Sequence, residues 1–183
     1  GEMGVLMEFM RKSVLCAQPD AIADEVIAAM QGWSLRGVVQ LRTGDTIINK
    51  STDSVVSPLQ ESIIATMRTM GRIFELKSRA VVNYDHVSIL VQNLPTDDPV
   101  QVGRLRDHLA LLGELAENNL VSFTTRVELA TLGESLRALR EVMQQTAVRD
   151  IENRRKVQKQ ALDILDSLER TFVGMGVTSV QRE

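Results

Sequence analysis

Apolar residues spaced for one face of a helix dominate the second half of the sequence. Pro99 is the last proline of the chain, so every later residue carries the backbone N–H that a helix interior needs. Asp98 stands before it as a cap residue, and apolar side chains then recur at steps of three and four. A change of phase predicts a stutter, or a break between two helices, near residues 124–128. The apolar groups are Leu105, Leu109, Leu112, Ala116 and Phe123; Leu129, Leu132, Leu136, Leu139 and Met143; and Ala161, Leu165, Leu168 and Phe172.

A narrow apolar stripe on a helix has to be covered by a partner, and two arrangements are open. Residues 129–143 could pack antiparallel on residues 161–172 within the chain, with a bend near residues 146–149. Alternatively, two chains could associate in parallel. The bend would have to form without glycine or proline, so we favour a homodimer. The predicted interface residues are Leu129, Leu132, Leu136, Leu139, Met143, Leu165, Leu168 and Phe172.

The first half of the sequence alternates between short helical and short extended patterns. Helices are predicted over residues 5–15, 20–32 and 57–71, and strands over residues 35–41, 46–48, 72–76, 80–82 and 87–91. Asp20 and Ser57 are the predicted caps of the second and third helices, and Pro58 and Gln60 complete a capping box after Ser57. Short turns favour an antiparallel sheet with helices beside it. We therefore predict an α+β domain over residues 1–125 and long C-terminal helices, as a coiled coil or helical hairpin, over residues 126–183.

The composition is that of an ordinary globular chain, and it excludes several kinds of site. Apolar residues make up 44% of the 183 residues and charged residues 25%. A net charge of −3 gives no general attraction to nucleic acid or anionic lipid. Cys16 is the single cysteine, so an internal disulfide and a cysteine-based zinc site are excluded. We find no apolar run of membrane-spanning length and no secretory signal, and we expect a cytoplasmic protein without a cofactor or metal.

His108 is the sharpest candidate for chemistry. It follows Arg106 and Asp107 on the predicted long helix, and an imidazole nitrogen there could accept a phosphoryl group steadied by nearby cations. Gly113 lies five residues later, however, whereas histidine phosphotransfer domains place a glycine four residues after the histidine. We therefore favour an exposed or salt-bridged histidine and keep phosphotransfer as the alternative.

Three other features have ordinary interpretations. Tyr84, Asp85 and His86 could form an acid–base group, since a carboxylate can orient an imidazole, but they fall at a predicted turn. The basic run over residues 154–159 is interleaved with acids and lacks aromatic platforms for bases, so we interpret it as a solvated helix face. Cys16 is expected to be a small buried residue of the first helix.

The order of elements over residues 1–125 resembles that of GAF domains, a family of small sensory modules. Gly37–Arg42, Gly71–Leu76 and Val87–Gln92 would supply sheet strands. Ser57-Pro58-Leu59, Asn93-Leu94-Pro95 and the run Gly103–Ala110 resemble, more narrowly, a segment found after receiver domains in bacterial two-component response regulators.

The resemblance implies an antiparallel sheet with the first and last helices on one side, and a receiver domain upstream of the helix near residues 7–15. The cysteine placement of bilin-binding GAF domains and the motifs of cyclic-nucleotide binders are not recognisable here, which leaves a small-molecule ligand open. We predict a non-enzymatic signal-transduction module that relays its state through helical dimerisation. The alternative is a phosphotransfer or other catalytic role centred on His108.

Overall fold

The elements of the chain follow the predicted order. The computed structural model describes the backbone of residues 1–179 and the side chains of residues 1–173. Its elements are α1 (Glu2–Ser13), α2 (Pro19–Gly32), β1 (Gly37–Thr43), β2 (Thr46–Ser51), α3 (Pro58–Met67), β3 (Ile73–Leu76), β4 (Arg79–Asn83), β5 (Val87–Val91) and α4 (Pro99–Ser179). The chain is therefore α+β, with helices beside one sheet and a long C-terminal helix, and the predicted fold class is confirmed.

All five strands pair antiparallel in one sheet of order β2-β1-β5-β4-β3. β5 lies at the centre, where Ile89 pairs with Val39 of β1 and Val82 of β4. The strands β1, β4 and β5 are buried along almost their whole length. Such runs of buried residues, rather than strict alternation, are expected where both faces of a sheet are covered.

Two hydrophobic layers cover the two faces of the sheet. On one face Val39 and Ile89 pack with α1, α2 and the first part of α4. On the other face Val38 and Leu90 pack against Ile64 of α3. The buried helix residues of the first layer are Leu6, Phe9, Ile22, Ala23, Val26, Ala29, Met30, Leu105, Leu109, Leu112, Ala116 and Leu120. The first and last helices therefore lie on the same side of the sheet.

Two of the three predicted helix caps are confirmed. The Ser57 hydroxyl accepts from the Gln60 N–H and the Gln60 side chain accepts from the Ser57 N–H, so the capping box is confirmed. Asp98 accepts from two backbone N–H groups at the start of α4. The predicted cap Asp20 is wrong, because Pro19 opens α2 after Gln18, and Asp20 instead pairs with Lys50 at 2.9 Å.

Two helix ends also differ from their predictions. α1 ends at Ser13, so Cys16 lies just beyond the helix and is only half-buried, against the buried position expected for it. α3 ends at Met67 rather than continuing to Gly71. Gly71 has a φ of 101°, a conformation that glycine adopts without strain, and it turns the chain into β3.

α4 is a single uninterrupted helix, which excludes one of the two alternatives left open at each of two places. There is neither a break near residues 124–128 nor a bend near residues 146–149, so the hairpin within the chain does not form. Both stretches lack glycine and proline, and nothing in their sequence interrupts the ladder of helical hydrogen bonds. The change of phase is therefore a stutter within a continuous helix.

The buried stripe at the start of α4 also corrects the expected spacing. Leu120 is fully buried, whereas Phe123, the predicted continuation, is only half-buried. Asn119 lies beside this stripe, and its amide donates to the hydroxyl of the buried Ser13 at 2.7 Å. A polar residue is tolerated there because its donor is satisfied.

The chain divides into two units, Gly1–Glu128 and Leu129–Glu183, which we call the head and the tail. The head contains the sheet and both hydrophobic layers. The part of the tail that the structure describes is α-helical. Within residues 1–179 no helix combines the length and the hydrophobicity that crossing a membrane would take.

Candidate functional site

The tail exposes a row of large apolar side chains, which we call the seam. Its members are the eight predicted interface residues Leu129, Leu132, Leu136, Leu139, Met143, Leu165, Leu168 and Phe172. Their exposed fractions run from 50% at Leu168 to 71% at Phe172. Large apolar side chains gathered in one exposed patch mark a surface that another molecule covers.

The seam occupies one face of the helix over its whole length. Leu129 and Leu165 are 36 residues apart, which is ten turns at about 3.6 residues a turn, so they point the same way. All eight members fall within an arc of about 80° on such a helix. Other exposed apolar residues, such as Val142 and Val148, lie outside this arc. The seam is therefore a single stripe in two segments, residues 129–143 and 165–172.

His108 lies in the head against the start of the chain. Its ring stacks on Trp33 with 5.7 Å between ring centroids and 19° between planes. Its Nδ1 is 3.6 Å from the Glu2 carboxylate, has no hydrogen-bond partner and is buried. Only 15% of the side chain is exposed. A phosphoryl group needs an open path to an imidazole nitrogen, and the packing of Trp33 and α1 on this ring favours a structural role.

His86 is held by a carboxylate that lies 31 residues away in the sequence. The Glu117 side chain accepts from the backbone N–H of His86 at 2.9 Å, and Nδ1 of the ring lies 2.6 Å from its other oxygen. An ionised carboxylate only accepts hydrogen bonds, so Nδ1 carries the proton of this contact. Glu117 thus anchors the turn between β4 and β5 on α4.

Tyr84 of the same turn is fixed from both sides. Its hydroxyl donates to the carbonyl of Ala110 at 2.8 Å and accepts from Arg72 at 2.6 Å. The Arg72 guanidinium also lies 4.7 Å from the centre of the Tyr84 ring and 3.2 Å from Glu114. Gly113 makes room for the ring, because a Cβ there would stand 2.7 Å from Tyr84 Cε2. Gly113 therefore has a packing reason unrelated to phosphotransfer.

An open cavity of about 560 Å³ lies over this turn. Its lining includes Tyr84, the cations Arg68 and Arg72, and the acids Asp85 and Glu117. The described lining contains no serine, cysteine or threonine that the His86–Glu117 pair could activate. The arrangement stabilises the turn that was predicted over residues 84–86. The acid–base group considered there gains the carboxylate of Glu117 but no nucleophile among the described lining.

Arg42 is a buried cation that no sequence pattern indicated. Its guanidinium donates to Gln40, to Ser88 and to the carbonyls of Tyr84 and Asp85, at 2.8–3.2 Å, and every one of these acceptors is neutral. Burial is the main cause that lowers the pKa of Arg42, and Arg68 adds to it. Arg42 therefore joins β1 to the β4–β5 turn.

The contact of Glu117 with His86 and the contacts of Arg42 with the β4–β5 turn could not be found from sequence patterns. Glu117 stands three to four residues from Gly113 and Glu114 on a helix whose other face was identified by its leucines, and nothing local links it to His86. Arg42 comes directly after the predicted strand over residues 35–41, and nothing local in the sequence indicates that its guanidinium is buried. Both contacts depend on strand register and on the packing of α4.

No metal centre is formed by the described side chains, since no group of three or more His, Cys, Asp or Glu residues is gathered there. No protein-family model, curated protein or solved structure matches the chain. The function therefore has to be argued from the seam and the head themselves.

Proposed function

We propose that this protein is a non-enzymatic signal-transduction module that forms a homodimer through the seam. The observation that carries the proposal is the exposure of eight large apolar side chains along one face of a continuous helix. Covering a Leu or Phe side chain contributes roughly 1.5–3 kcal/mol, so a partner on this face would be held by a large hydrophobic term. A second copy supplies the same face at the same concentration.

The head fits the sensory or output region of a bacterial two-component response regulator, which we propose as its setting in the cytoplasm. The support is the resemblance to GAF domains together with a sheet that carries the first and last helices on one side. In this proposal a receiver domain precedes α1. The state of the head is passed along α4 to the seam. A small-molecule ligand forms no part of the proposal.

Phosphotransfer at His108 is the less favoured function. The stacked Trp33 ring and the buried Nδ1 give it no support. Incubation with a phosphodonor gives a direct check, and we expect no acid-labile label. A label that disappears in His108→Gln would overturn the non-enzymatic proposal.

The decisive experiment compares two double variants by sedimentation equilibrium. Leu136→Asp with Leu168→Asp places two carboxylates in the seam, and we expect the dimer to dissociate to single chains because charged groups are costly to bury. Val142→Asp with Val148→Asp is the matched control, since these residues are 58% and 56% exposed but lie outside the seam.

We expect the control pair to keep the mass of two copies. Equal loss of mass in both variants would show that added charge, and not the seam, controls association. Retention of the dimer by the seam variant would contradict the proposal. Fluorescence of Trp33, the single tryptophan, reports in both cases that the head is folded.

A further inference from the structure

The gap in the middle of the seam is filled by residues on the same arc of the helix. Between Met143 and Leu165 the positions at steps of three and four are Ala147, Asp150, Arg154, Val157 and Ala161, all exposed. We call the row from Leu132 to Phe172 the extended seam; Leu129 lies one step of three before its first member. Its centre is therefore polar, with one acid and one base, and its two ends are apolar.

The extended seam has the same spacing in both directions. From Leu132 the steps are 4-3-4-4-3-4-3-4-4-3-4, and the series from Phe172 backwards is identical. Each member has a counterpart equally far from Glu152 on the other side. The pairs are Leu132 with Phe172, Leu136 with Leu168, Leu139 with Leu165, Met143 with Ala161, Ala147 with Val157, and Asp150 with Arg154.

We propose that two copies pair antiparallel along the extended seam, with the two-fold axis at Glu152. This inference deepens the proposed function and rests on it. A two-fold axis places each residue against its counterpart in the second copy. Every apolar residue then meets an apolar one, and Asp150 of each copy meets Arg154 of the other.

A parallel pair would place like charges together in the middle of the interface. Asp150 would face Asp150 and Arg154 would face Arg154 of the second copy. Like charges that face each other within an interface destabilise the complex by several kcal/mol, and they therefore disfavour the parallel pair. In the antiparallel pair the same four side chains form two opposite-charge contacts.

Side-chain volume favours the same direction. Opposed in parallel, Ala147 and Ala161 would each meet another alanine and leave layers underfilled. Opposed antiparallel, Ala161 meets Met143 and Ala147 meets Val157, so large and small side chains alternate across the contact. Close packing of this kind is what stabilises helix interfaces.

The period of the extended seam suits a nearly straight helix. Leu132, Met143, Arg154 and Leu165 follow one another at intervals of eleven residues. Such a repeat has about 3.67 residues a turn, close to the 3.6 of an undistorted helix. The face stays aligned over the whole row without strong supercoiling. The contacts are those of the hairpin that α4 cannot form within one chain, made instead between two copies.

Disulfide cross-linking of the full chain tests the direction. Cys16→Ser removes the native thiol, and Leu139→Cys and Leu165→Cys are introduced in two chains that carry tags of different size. In the antiparallel dimer residues 139 and 165 meet, whereas two copies of residue 139 lie about 39 Å apart, at 1.5 Å per residue. We expect the mixed chains to cross-link 139 to 165, and each variant alone to stay uncross-linked.

The possible outcomes separate the inference from the proposed function. Cross-links of 139 to 139 and of 165 to 165 would show a parallel dimer, overturning the inference and leaving the proposed dimer intact. Absence of any cross-link together with the mass of a single chain would overturn both.

A charge variant gives an independent check without cysteines. Asp150→Arg places arginine against Arg154 of the second copy twice in the antiparallel dimer, and we expect the dissociation constant to rise at least about tenfold. In a parallel dimer the change only exchanges an Asp–Asp contact for an Arg–Arg contact. An unchanged dissociation constant would therefore contradict the antiparallel arrangement.

Discussion

The two parts of α4 carry the same kind of apolar stripe with opposite outcomes. In the head, Leu105, Leu109 and Leu112 are at most 3% exposed, because the sheet and α1 cover them. In the tail, Leu132 and Leu139 are each 56% exposed. Leucines at steps of three and four therefore identify a face that needs burial, but the pattern does not say whether the cover lies in the same chain. The topology of the head supplies it in one case, and a second copy is our proposal for the other.

Truncating one leucine in each part should separate the two roles most strongly. We expect Leu109→Ala to lower the free energy of unfolding of the head by about 2–5 kcal/mol, since it leaves a cavity in a packed layer. Leu139→Ala should change it by less than about 0.5 kcal/mol and raise the dissociation constant of the dimer instead. Denaturation followed by Trp33 fluorescence measures the first effect, and sedimentation the second. Equal destabilisation of the head by both variants would show that Leu139, like Leu109, is part of the packing of the head.

The buried polar contacts of the head offer a second test. Arg42→Met leaves the carbonyls of Tyr84 and Asp85 without a donor, and we expect a loss of about 2–3 kcal/mol in the free energy of unfolding. Arg36→Met is the matched control, because Arg36 pairs with Asp53 at the surface and such pairs contribute under about 1 kcal/mol.

Both arginine variants should leave the dimer mass unchanged, because neither residue is in the tail. Dissociation of the Arg42→Met dimer with a folded head would show that the head itself holds the two copies together.

Replacing a glycine of α4 by alanine gives the smallest change in stability that we expect. In Gly113→Ala the new Cβ would stand 2.7 Å from Tyr84, so the ring must shift, and we expect a loss of about 1 kcal/mol. At Gly133, in the tail, nothing lies within 4 Å of the new Cβ, and alanine should strengthen the helix by about 0.5–1 kcal/mol. Denaturation followed by Trp33 fluorescence measures the first variant and helix melting by circular dichroism the second. A stabilised Gly113→Ala would show that Tyr84 is not packed as described.

Local signals accounted for most of the fold. The capping box of Ser57 and Gln60 fixed the start of α3, and the cap Asp98 fixed the start of α4. The strands were found because β-branched residues lie between short turns. The prediction at Asp20 was wrong because Pro19 opens the helix after Gln18. The Asp20 carboxylate pairs with Lys50 instead.

The seam residues were identified because they share one helix and one period. Contacts over long sequence distances, in contrast, could not be predicted. The Glu117 contact to His86 and the stacking of Trp33 on His108 depend on how α4 and α2 lie on the sheet. The phase shift in α4 was visible in the sequence, but the spacing alone could not distinguish a stutter from a break. The helix continues through the shift because neither glycine nor proline interrupts it there.

The molar mass of the unmodified chain in solution, measured across a range of concentrations, shows directly whether the seam binds a second copy. A chain of 20.3 kDa whose seam binds a second copy should show twice that mass at micromolar concentration and fall towards the single-chain value on dilution. A mass of one chain at every concentration up to about 100 μM, where weak specific complexes still form, would contradict the account.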